Sequence, residues 1–192
     1  MKRNILIIIA SVILISLGAI ATYEFFNNKI IASMPLSRQG QIDTSYFNLV
    51  LPPGWETQEP APEGFVLKAT YIKNNSQDPL ARKINYKTNL YISREELDGK
   101  TLSGYVNLLN DKIKKVNSDS IINSENETIF NDNQAYLVDV ELKNNGIEFK
   151  NILGVIQGKN DDVWVISFNT PKLDWISTAV QFYGVLNSFQ LK

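Results

Sequence analysis

The chain has 192 residues, with 19 Lys and Arg against 20 Asp and Glu for a formal net charge of −1, and it contains neither cysteine nor histidine. The lack of cysteine excludes disulfides, cysteine peptidases and the acylated cysteine of lipoproteins, and the lack of histidine excludes histidine-based serine hydrolases and makes most zinc enzymes implausible. Carboxylate-pair glycosidases and Ser-Lys enzymes remain compatible with this inventory.

The first segment predicts a membrane anchor. Lys2 and Arg3 precede an unbroken apolar run from Ile5 to Ala21. As a helix, residues 5–22 rise about 27 Å, close to the ~30 Å hydrocarbon thickness of a bilayer. The short positive flank predicts a cytoplasmic N-terminus, so the rest of the chain is exported. We therefore expect a single-pass protein of the cell membrane with an extracytoplasmic C-terminal domain.

A cleaved secretory signal is the alternative for the same segment. Ala19-Ile20-Ala21 has the small residues that signal peptidase needs, so cleavage near Ala21 would release a secreted protein. Tyr23, Phe25 and Phe26 follow at the level of an interfacial aromatic belt, which favours a retained anchor. The predicted organisation is an anchor or signal over residues 1–26, a linker over residues 27–41 and one domain over residues 42–192.

The charge of the exported part argues against nucleic-acid binding. Beyond residue 22 there are 17 basic and 20 acidic residues, a formal charge of −3. The densest basic group, Lys112, Lys114 and Lys115, is interpreted as the solvated face of a helix. Nucleic-acid affinity depends on clustered Lys and Arg, so we expect no nucleic-acid partner.

The first half of the domain predicts short strands joined by turns. Phe47, Leu49 and Leu51 alternate with polar or exposed positions, as in a strand with one buried face, and Pro52-Pro53-Gly54 ends it. Trp55 is expected at one end of the core. Further strands are predicted over residues 64–72 and 88–93.

The polar stretch from residue 74 to residue 86 predicts a long exposed loop. Exposed loops on a rigid scaffold often carry recognition, so this loop is the candidate partner-binding site. Its candidate residues are Asn74, Asn75, Arg82 and Lys83.

The second half predicts a helix, a four-stranded meander and a last helix. Thr101 is a plausible N-cap for a helix with an apolar stripe from Leu102 to Val116. Four strands without an intervening helix must be antiparallel, and asparagine-rich turns join them. They are predicted over residues 120–130, 134–143, 147–158 and 162–169.

The last helix is predicted to begin at Thr170-Pro171, because proline is favoured at a helix start. Trp175, Ala179, Phe182 and Leu186 recur at helical spacing beside Ile176, Val180 and Tyr183, which predicts a helix that packs broadly. Residues 188–191 are expected to return alongside the sheet.

This order of elements resembles the Mog1/PsbP-like α/β/α sandwich family, which includes bacterial PsbP-related and DcrB-like proteins. The resemblance depends on Phe47-x-Leu49-x-Leu51-Pro52-x-Gly54-Trp55, on Thr101-Leu102 at the first helix, and on Ser188-Phe189-x-Leu191 at the end. It implies an α+β domain with an antiparallel sheet flanked by helices, and a mostly non-enzymatic accessory or assembly role. The chain lacks the lipid-bearing cysteine of the lipoprotein branch and any histidine for a metal site of the photosynthetic branch, so neither property carries over.

Other candidate sites have simpler structural interpretations. The clearest carboxylate groupings are Asp161-Asp162, Glu95-Glu96 and the pair Glu125 and Glu127. Adjacent strand residues point to opposite faces, so Asp161-Asp162 is interpreted as a solvated turn rather than a catalytic dyad. Glu125 and Glu127 could share a face, but nothing indicates a cleft around them. Asn131-Asp132-Asn133 is interpreted as a hairpin turn rather than a calcium loop. The three tryptophans, Trp55, Trp164 and Trp175, are interpreted as core rather than as a binding platform.

The sequence therefore predicts a membrane-anchored, extracytoplasmic, non-catalytic domain that binds or helps to assemble envelope proteins. No catalytic, cofactor-binding or metal-ligating residue is assigned, and no cofactor is expected. The alternatives are an extracytoplasmic domain that binds a small molecule or metal ion and, less favoured, a carboxylate-based hydrolase.

Overall fold

The computed structural model describes residues 40–73 and 75–192. The predicted anchor, the linker before Gly40, and Asn74 lie outside the described residues, so the assignments made for them stay predictions. Within the described residues, no helix combines the length and apolar character that crossing a bilayer requires.

The described chain folds into ten strands, three α-helices and one 3-10 turn, at Lys172–Asp174. The helices are α1 Pro79–Lys83, α2 Leu102–Val116 and α3 Trp175–Ser188. The strands are β1 Gln41–Asp43, β2 Phe47–Val50, β3 Trp55–Thr57, β4 Leu67–Tyr71, β5 Asn89–Glu96, β6 Ile121–Phe130, β7 Asn133–Asn144, β8 Ile147–Gln157, β9 Asp162–Pro171 and β10 Gln190–Leu191.

Seven strands form one antiparallel sheet in the order β3-β4-β5-β9-β8-β7-β6. The predicted meander is confirmed as β6 to β9. Its hairpins turn at asparagine-rich pairs, because Asn131, Asp132, Asn145 and Gly146 all adopt the positive φ that such tight turns require. A second, three-stranded sheet has the order β1-β2-β10.

Helix α2 covers one face of the large sheet. Thr101 caps the helix as predicted, because its hydroxyl accepts a hydrogen bond from the Gly104 amide. Tyr105, Val106, Leu109 and Ile113 of the stripe are buried against apolar side chains of β7, β8 and β9. We call this side of the large sheet the α2 face.

Helix α3 and the small sheet cover the opposite face. Phe182, Val185 and Leu186 of the helix are buried with Phe47 and Phe189 against the large sheet. We call this side the α3 face. Trp55 and Trp164 are buried in the same cluster and Trp175 is packed partly buried against it, as expected for core residues.

Three sequence expectations differ from the structure. Pro171 ends β9 instead of opening a helix; α3 begins at Trp175 after the 3-10 turn. The predicted loop over residues 74–86 contains α1, which Asp78 caps and which the buried side chain of Ala81 attaches to the core. The C-terminal strand β10 pairs with β2 in the small sheet rather than with the large one.

Candidate functional site

The outward side of α3 is apolar and exposed. Ile176 is 89% exposed and Val180 81%, while Tyr183 is 41% and Leu173 of the preceding turn 56% exposed. The predicted broad packing of this helix is therefore wrong, because only its inward side is buried. Large apolar side chains that share one exposed helix side are typical of an interaction surface. We call Leu173, Ile176, Val180 and Tyr183 the apolar patch.

Helix α3 carries no Lys, Arg, Asp or Glu from Trp175 to Ser188. Helix α2 is different, because its outward side presents the exposed polar residues Asn107, Asp111, Lys114 and Lys115. Both helices cover the same sheet, so α2 shows what a solvent-facing helix looks like in this molecule. Helix α3 thus has the composition of a helix that protein covers on both sides.

The core holds α3 firmly in place. Phe182 packs on Phe168 with ring centroids 5.0 Å apart, and the Trp55 indole donates a hydrogen bond of 2.6 Å to Gln181 Oε1. Gly154 of β8 lets the helix approach, because a Cβ there would lie 2.7 Å from Leu186 Cδ2. The apolar patch is thus presented by a fixed helix rather than by a loop.

Charged residues border the apolar patch on the β7 and β8 side. Lys150 Nζ lies 2.7 Å from Asp139 Oδ2 and 5.3 Å from the ring centroid of Trp175. Lys172 Nζ lies 2.6 Å from Glu141 Oε2, and this hydrogen bond raises the pKa of Lys172. The charges are paired with one another, as in the polar rim of an interface.

The described residues of the predicted partner-binding loop lie in α1 or shortly before it. Arg82 and Lys83 are exposed in the last turn of α1, and Asn75 is exposed shortly before that helix. Helix α1 packs with the core of the α2 face through Ala81. Asn75 lies two residues before Gln77, whose backbone amide donates a hydrogen bond of 2.7 Å to Asp174 Oδ1, just before α3. Arg82 and Lys83 therefore belong to a helix packed on the α2 face, whereas the segment before that helix reaches the start of α3.

A buried carboxyl group lies under α2. Glu95 of β5 is 8% exposed, and its Oε1 has no hydrogen-bond partner among the described residues. Burial raises the pKa of Glu95 to about 7, while the Tyr105 hydroxyl and the charge of Lys112 act in the opposite direction. Burial, and then the neighbouring Glu95, raise the pKa of Tyr105. Glu95 is therefore a carboxyl group that changes charge near neutral pH.

Further polar groups line the α2 face toward α1. The Tyr86 hydroxyl donates to Asn169 Oδ1, whose amide donates to Asn151 Oδ1. Asn151 Nδ2 and Ser167 Oγ are buried and, among the described residues, have no partner. Buried polar groups are normally satisfied by protein, water or ligand, so this row is a second candidate binding region.

The other carboxylates singled out in the sequence do not form a site. Glu125 and Glu127 are exposed on the edge strand β6, where Asn110 donates to Glu125. Asp162 forms an ion pair of 2.7 Å with Arg94. Within the described residues, no three Asp or Glu side chains come together in an arrangement that could hold a metal ion.

Sequence reasoning misses both the apolar patch and the Glu95–Tyr105 pair. Helical spacing alone suggests burial for Ile176 and Val180, although they lie on the side of the helix opposite Phe182. Burial of Glu95 is difficult to predict because its neighbour Glu96 is also acidic. The available signal is the alternation of β5, which places Glu95 on the same face as the buried residues Tyr91 and Ser93.

Comparisons with known proteins identify the fold. Neither a protein-family model nor a curated protein sequence matches this chain significantly. Among solved structures it is similar to cyanobacterial PsbP (CyanoP) from Synechocystis, with a TM-score of 0.58 and 15% identity over 84% of this chain and 99% of that one.

It is also similar to LpqN of Mycobacterium tuberculosis, which is involved in cell envelope biogenesis, with a TM-score of 0.56 and 11% identity over 76% of this chain and 83% of that one. The Saccharomyces cerevisiae Ran-binding protein Mog1p gives a TM-score of 0.52 and 13% identity over 76% and 89% of the two chains. The protein therefore has the PsbP/Mog1-like fold, as its sequence motifs indicate. At these identities the likeness concerns the fold alone.

Proposed function

We propose that this protein is a membrane-anchored, extracytoplasmic, non-catalytic accessory domain that binds protein through the apolar patch of α3 and so helps to assemble envelope proteins. The observation that carries the proposal is the exposed apolar side of a rigidly held helix that has no charged residue. An envelope role for LpqN and protein binding by Mog1p are compatible with such a function on this fold.

Charging the apolar patch should abolish partner binding. Val180→Glu in the full chain places a carboxylate at the centre of the patch, and desolvating it on binding would be unfavourable. We expect at least about a tenfold loss of cross-linked complex recovered from membranes, since about 1.4 kcal/mol corresponds to tenfold in affinity.

Ile129→Glu is the matched control, because Ile129 is 70% exposed on β6, away from α3. Equal recovery of complexes with Val180→Glu and Ile129→Glu would contradict the proposed binding surface. Circular dichroism of both variants checks that the fold is retained.

The membrane assignment is tested separately. Protease added to right-side-out membrane vesicles should digest the domain while the anchor remains protected, and the intact mass of the protein should include residues 1–22. A mass that corresponds to a chain beginning near Thr22 would identify the secreted alternative.

The unpaired buried polar atoms favour a second candidate function, the binding of a small polar molecule on the α2 face. Asn151 Nδ2 and Ser167 Oγ, on neighbouring strands of this face, are buried and lack a partner among the described residues. Native mass spectrometry of gently purified protein should then show a retained small molecule, which the variant Ser167→Ala with Asn151→Ala releases. A mass equal to that of the chain alone would count against this function.

A further inference from the structure

The apolar patch has a local symmetry centred on Val180. Ile176 and Gly184 lie four residues on either side of Val180, about 6 Å along the helix in each direction. Ser177 and Tyr183 lie three residues on either side. A large side chain on one side of the centre therefore corresponds to a small one on the other. An antiparallel copy of α3 would place Ile176 opposite Gly184 and Tyr183 opposite Ser177.

The small residues Gly184 and Ser177 leave room for the large side chains of a second copy. A Cβ built on Gly184 would have no described atom within 4 Å apart from its adjacent residues and the backbone of its own helix, so an open notch lies above this residue. The Ser177 hydroxyl already donates to the Asp174 carbonyl at 2.8 Å, so covering it with a tyrosine ring leaves no donor unpaired. The surface is thus complementary to itself in size and in hydrogen bonding.

Charge also favours a second copy. Two identical faces bring like charges together, but the apolar patch and the rest of α3 have no charges to oppose each other. Helices that lie on a membrane surface usually carry Lys or Arg along their polar side, and α3 has neither. Among possible occupants, a charge-free copy of the same helix therefore fits better than an anionic lipid surface.

The area is close to that of a specific interface. At ordinary side-chain sizes, the exposed fractions of the apolar patch amount to roughly 450 Å² per copy and roughly 900 Å² per pair, against about 1,200 Å² for the smaller specific interfaces. Contacts of Ser177, Gly184 and Asn187 at the edge add to this figure. A pair of this size is weak in solution, and confinement of both copies to one membrane raises their effective concentration.

We propose that the apolar patch binds a second copy of this chain, through an antiparallel pair of α3 helices related by a two-fold axis at Val180. The inference rests on the proposed function, because it names the partner of that same surface.

Cysteine cross-linking of the full chain in membranes tests the pair. The natural chain has no cysteine, so any disulfide dimer must form through an introduced residue. Val180→Cys lies on the proposed axis next to its own copy, and mild oxidation should give a dimer on a non-reducing gel. The control Ile129→Cys, on an exposed strand position away from α3, should give at least about tenfold less dimer.

The register is tested with two differently tagged copies. Ile176→Cys in one copy should cross-link to Gly184→Cys in the other more strongly than Ile176→Cys does to itself. A parallel pair would give the reverse result and overturn the proposal.

Gly184→Leu fills the notch and tests the contact between the two copies with a variant that should keep the single domain folded. Gly184→Leu meets open space in the single domain and favours the helix, but it occupies the position of the partner copy's isoleucine. We expect the Val180→Cys dimer to fall about tenfold or more, with the thermal stability of the domain unchanged or higher. An unchanged dimer yield would overturn the proposed contact.

A photo-reactive benzoylphenylalanine at Val180 separates the possible occupants. A product that contains two tagged copies of this chain supports the pair. A product with a different protein overturns the pair and leaves the proposed function intact. An adduct with lipid, an internal product with residues 1–39, or no product at all overturns both.

Discussion

Glu95 is a carboxyl group in the interior of the α2 face, and its environment decides its charge. Its neighbours are the Tyr105 hydroxyl and the Lys112 ammonium group, both contributed by α2. Their combined effect is smaller than that of burial, so the pKa of Glu95 rises from 4.5 to about 7. Burial in the folded domain therefore favours the neutral, protonated form of Glu95.

The sign of the pH dependence follows from this shift. In the unfolded chain Glu95 ionises near pH 4.5, and in the folded domain near pH 7. Its contribution to stability is fully present below pH 4.5 and is lost as the pH rises through 7. At 1.36 kcal/mol per pKa unit, the loss is on the order of 3 kcal/mol.

Glu95→Gln should remove this pH dependence. Because the amide stays neutral, we expect the variant to be more stable than the natural protein by about 2–3 kcal/mol at about pH 8 and nearly equal to it at about pH 4.5. Urea unfolding followed by tryptophan fluorescence measures both values. The exposed Glu127→Gln serves as the control and should show no such change. A constant difference between Glu95→Gln and the natural protein across this pH range would contradict the assignment.

Single residues of this site are difficult to identify from sequence because their environment comes from distant parts of the chain. Tyr105 reaches Glu95 only after α2 has folded back over β5. Asn151 meets Asn169 only through the pairing of β8 with β9, which places Ser167 opposite Leu153 on the same face. On its own strand each of these residues is an ordinary polar residue. No local sequence pattern indicates that it will be buried without a hydrogen-bond partner.

At the scale of elements, the fit of α3 on β8 depends on one glycine. Gly154 faces Leu186, and a Cβ at this position would come within 2.7 Å of the Leu186 side chain. The helix must then move away from the sheet or Leu186 must leave its position. Gly184 in the same helix faces open space and has no such restriction.

Gly154→Ala should therefore destabilise the domain, and Gly184→Ala should stabilise it. We expect a loss of about 1–3 kcal/mol in the free energy of unfolding for Gly154→Ala, because a packed interior resists an added methyl group. We expect a gain of about 0.5–1 kcal/mol for Gly184→Ala, because alanine is the better helix former. Chemical denaturation compares the two, and a similar effect of both substitutions would show that contact with Leu186 is unimportant.

Elements with a clear periodic pattern of apolar residues are predictable from sequence. Very short elements, and element ends that depend on pairing with a distant strand, are not. Helix α2 has a full apolar stripe and a recognisable N-cap, and both are confirmed. Helix α1 spans five residues, which is too short for a period to show. The strand β9 continues through Pro171 because its last residues pair with β8, a contact that the local preference of proline does not reveal.

At the scale of the molecule, both ends of the described chain meet in the small sheet. β1 and β10 pair with opposite edges of β2, and Phe189 packs on Phe47 with ring centroids 5.0 Å apart. Lys192 donates from its backbone to the Tyr46 carbonyl and forms an ion pair with Asp43. The core of the α3 face is therefore completed by residues 189–192.

Removal of residues 189–192 should destabilise the whole domain. The deletion removes the buried ring of Phe189 and the pairing of β10, so we expect a loss of about 3–5 kcal/mol, as for a buried aromatic side chain. Lys192→Ala keeps the backbone and loses an exposed ion pair with Asp43 and an exposed hydrogen bond to the Thr44 carbonyl, so its effect should stay below about 1 kcal/mol. Thermal unfolding distinguishes the two, and a stable truncated domain would contradict the role assigned to β10.

The order of elements is enough to predict the antiparallel α+β architecture, because a meander with one helix before it and one after it has few possible arrangements. The separate small sheet is not predictable in the same way, since nothing local to β1 or β2 shows that these strands pair with β10. Which side of a helix faces solvent is equally hidden, because residues such as Ile176 are apolar whether a core or a partner covers them.

The closing of the small sheet by β10 also sets the order of events during synthesis. Until residues 175–191 have emerged, neither α3 nor β10 is available, and Phe47, Trp164 and Ile166 lack their cover. The hairpins of the large sheet can form as they emerge, but the layer that covers the α3 face can form only after this last stretch has emerged. Until then the new chain exposes the apolar side chains of the α3-face core. A chaperone that binds exposed apolar segments would be needed most in this period.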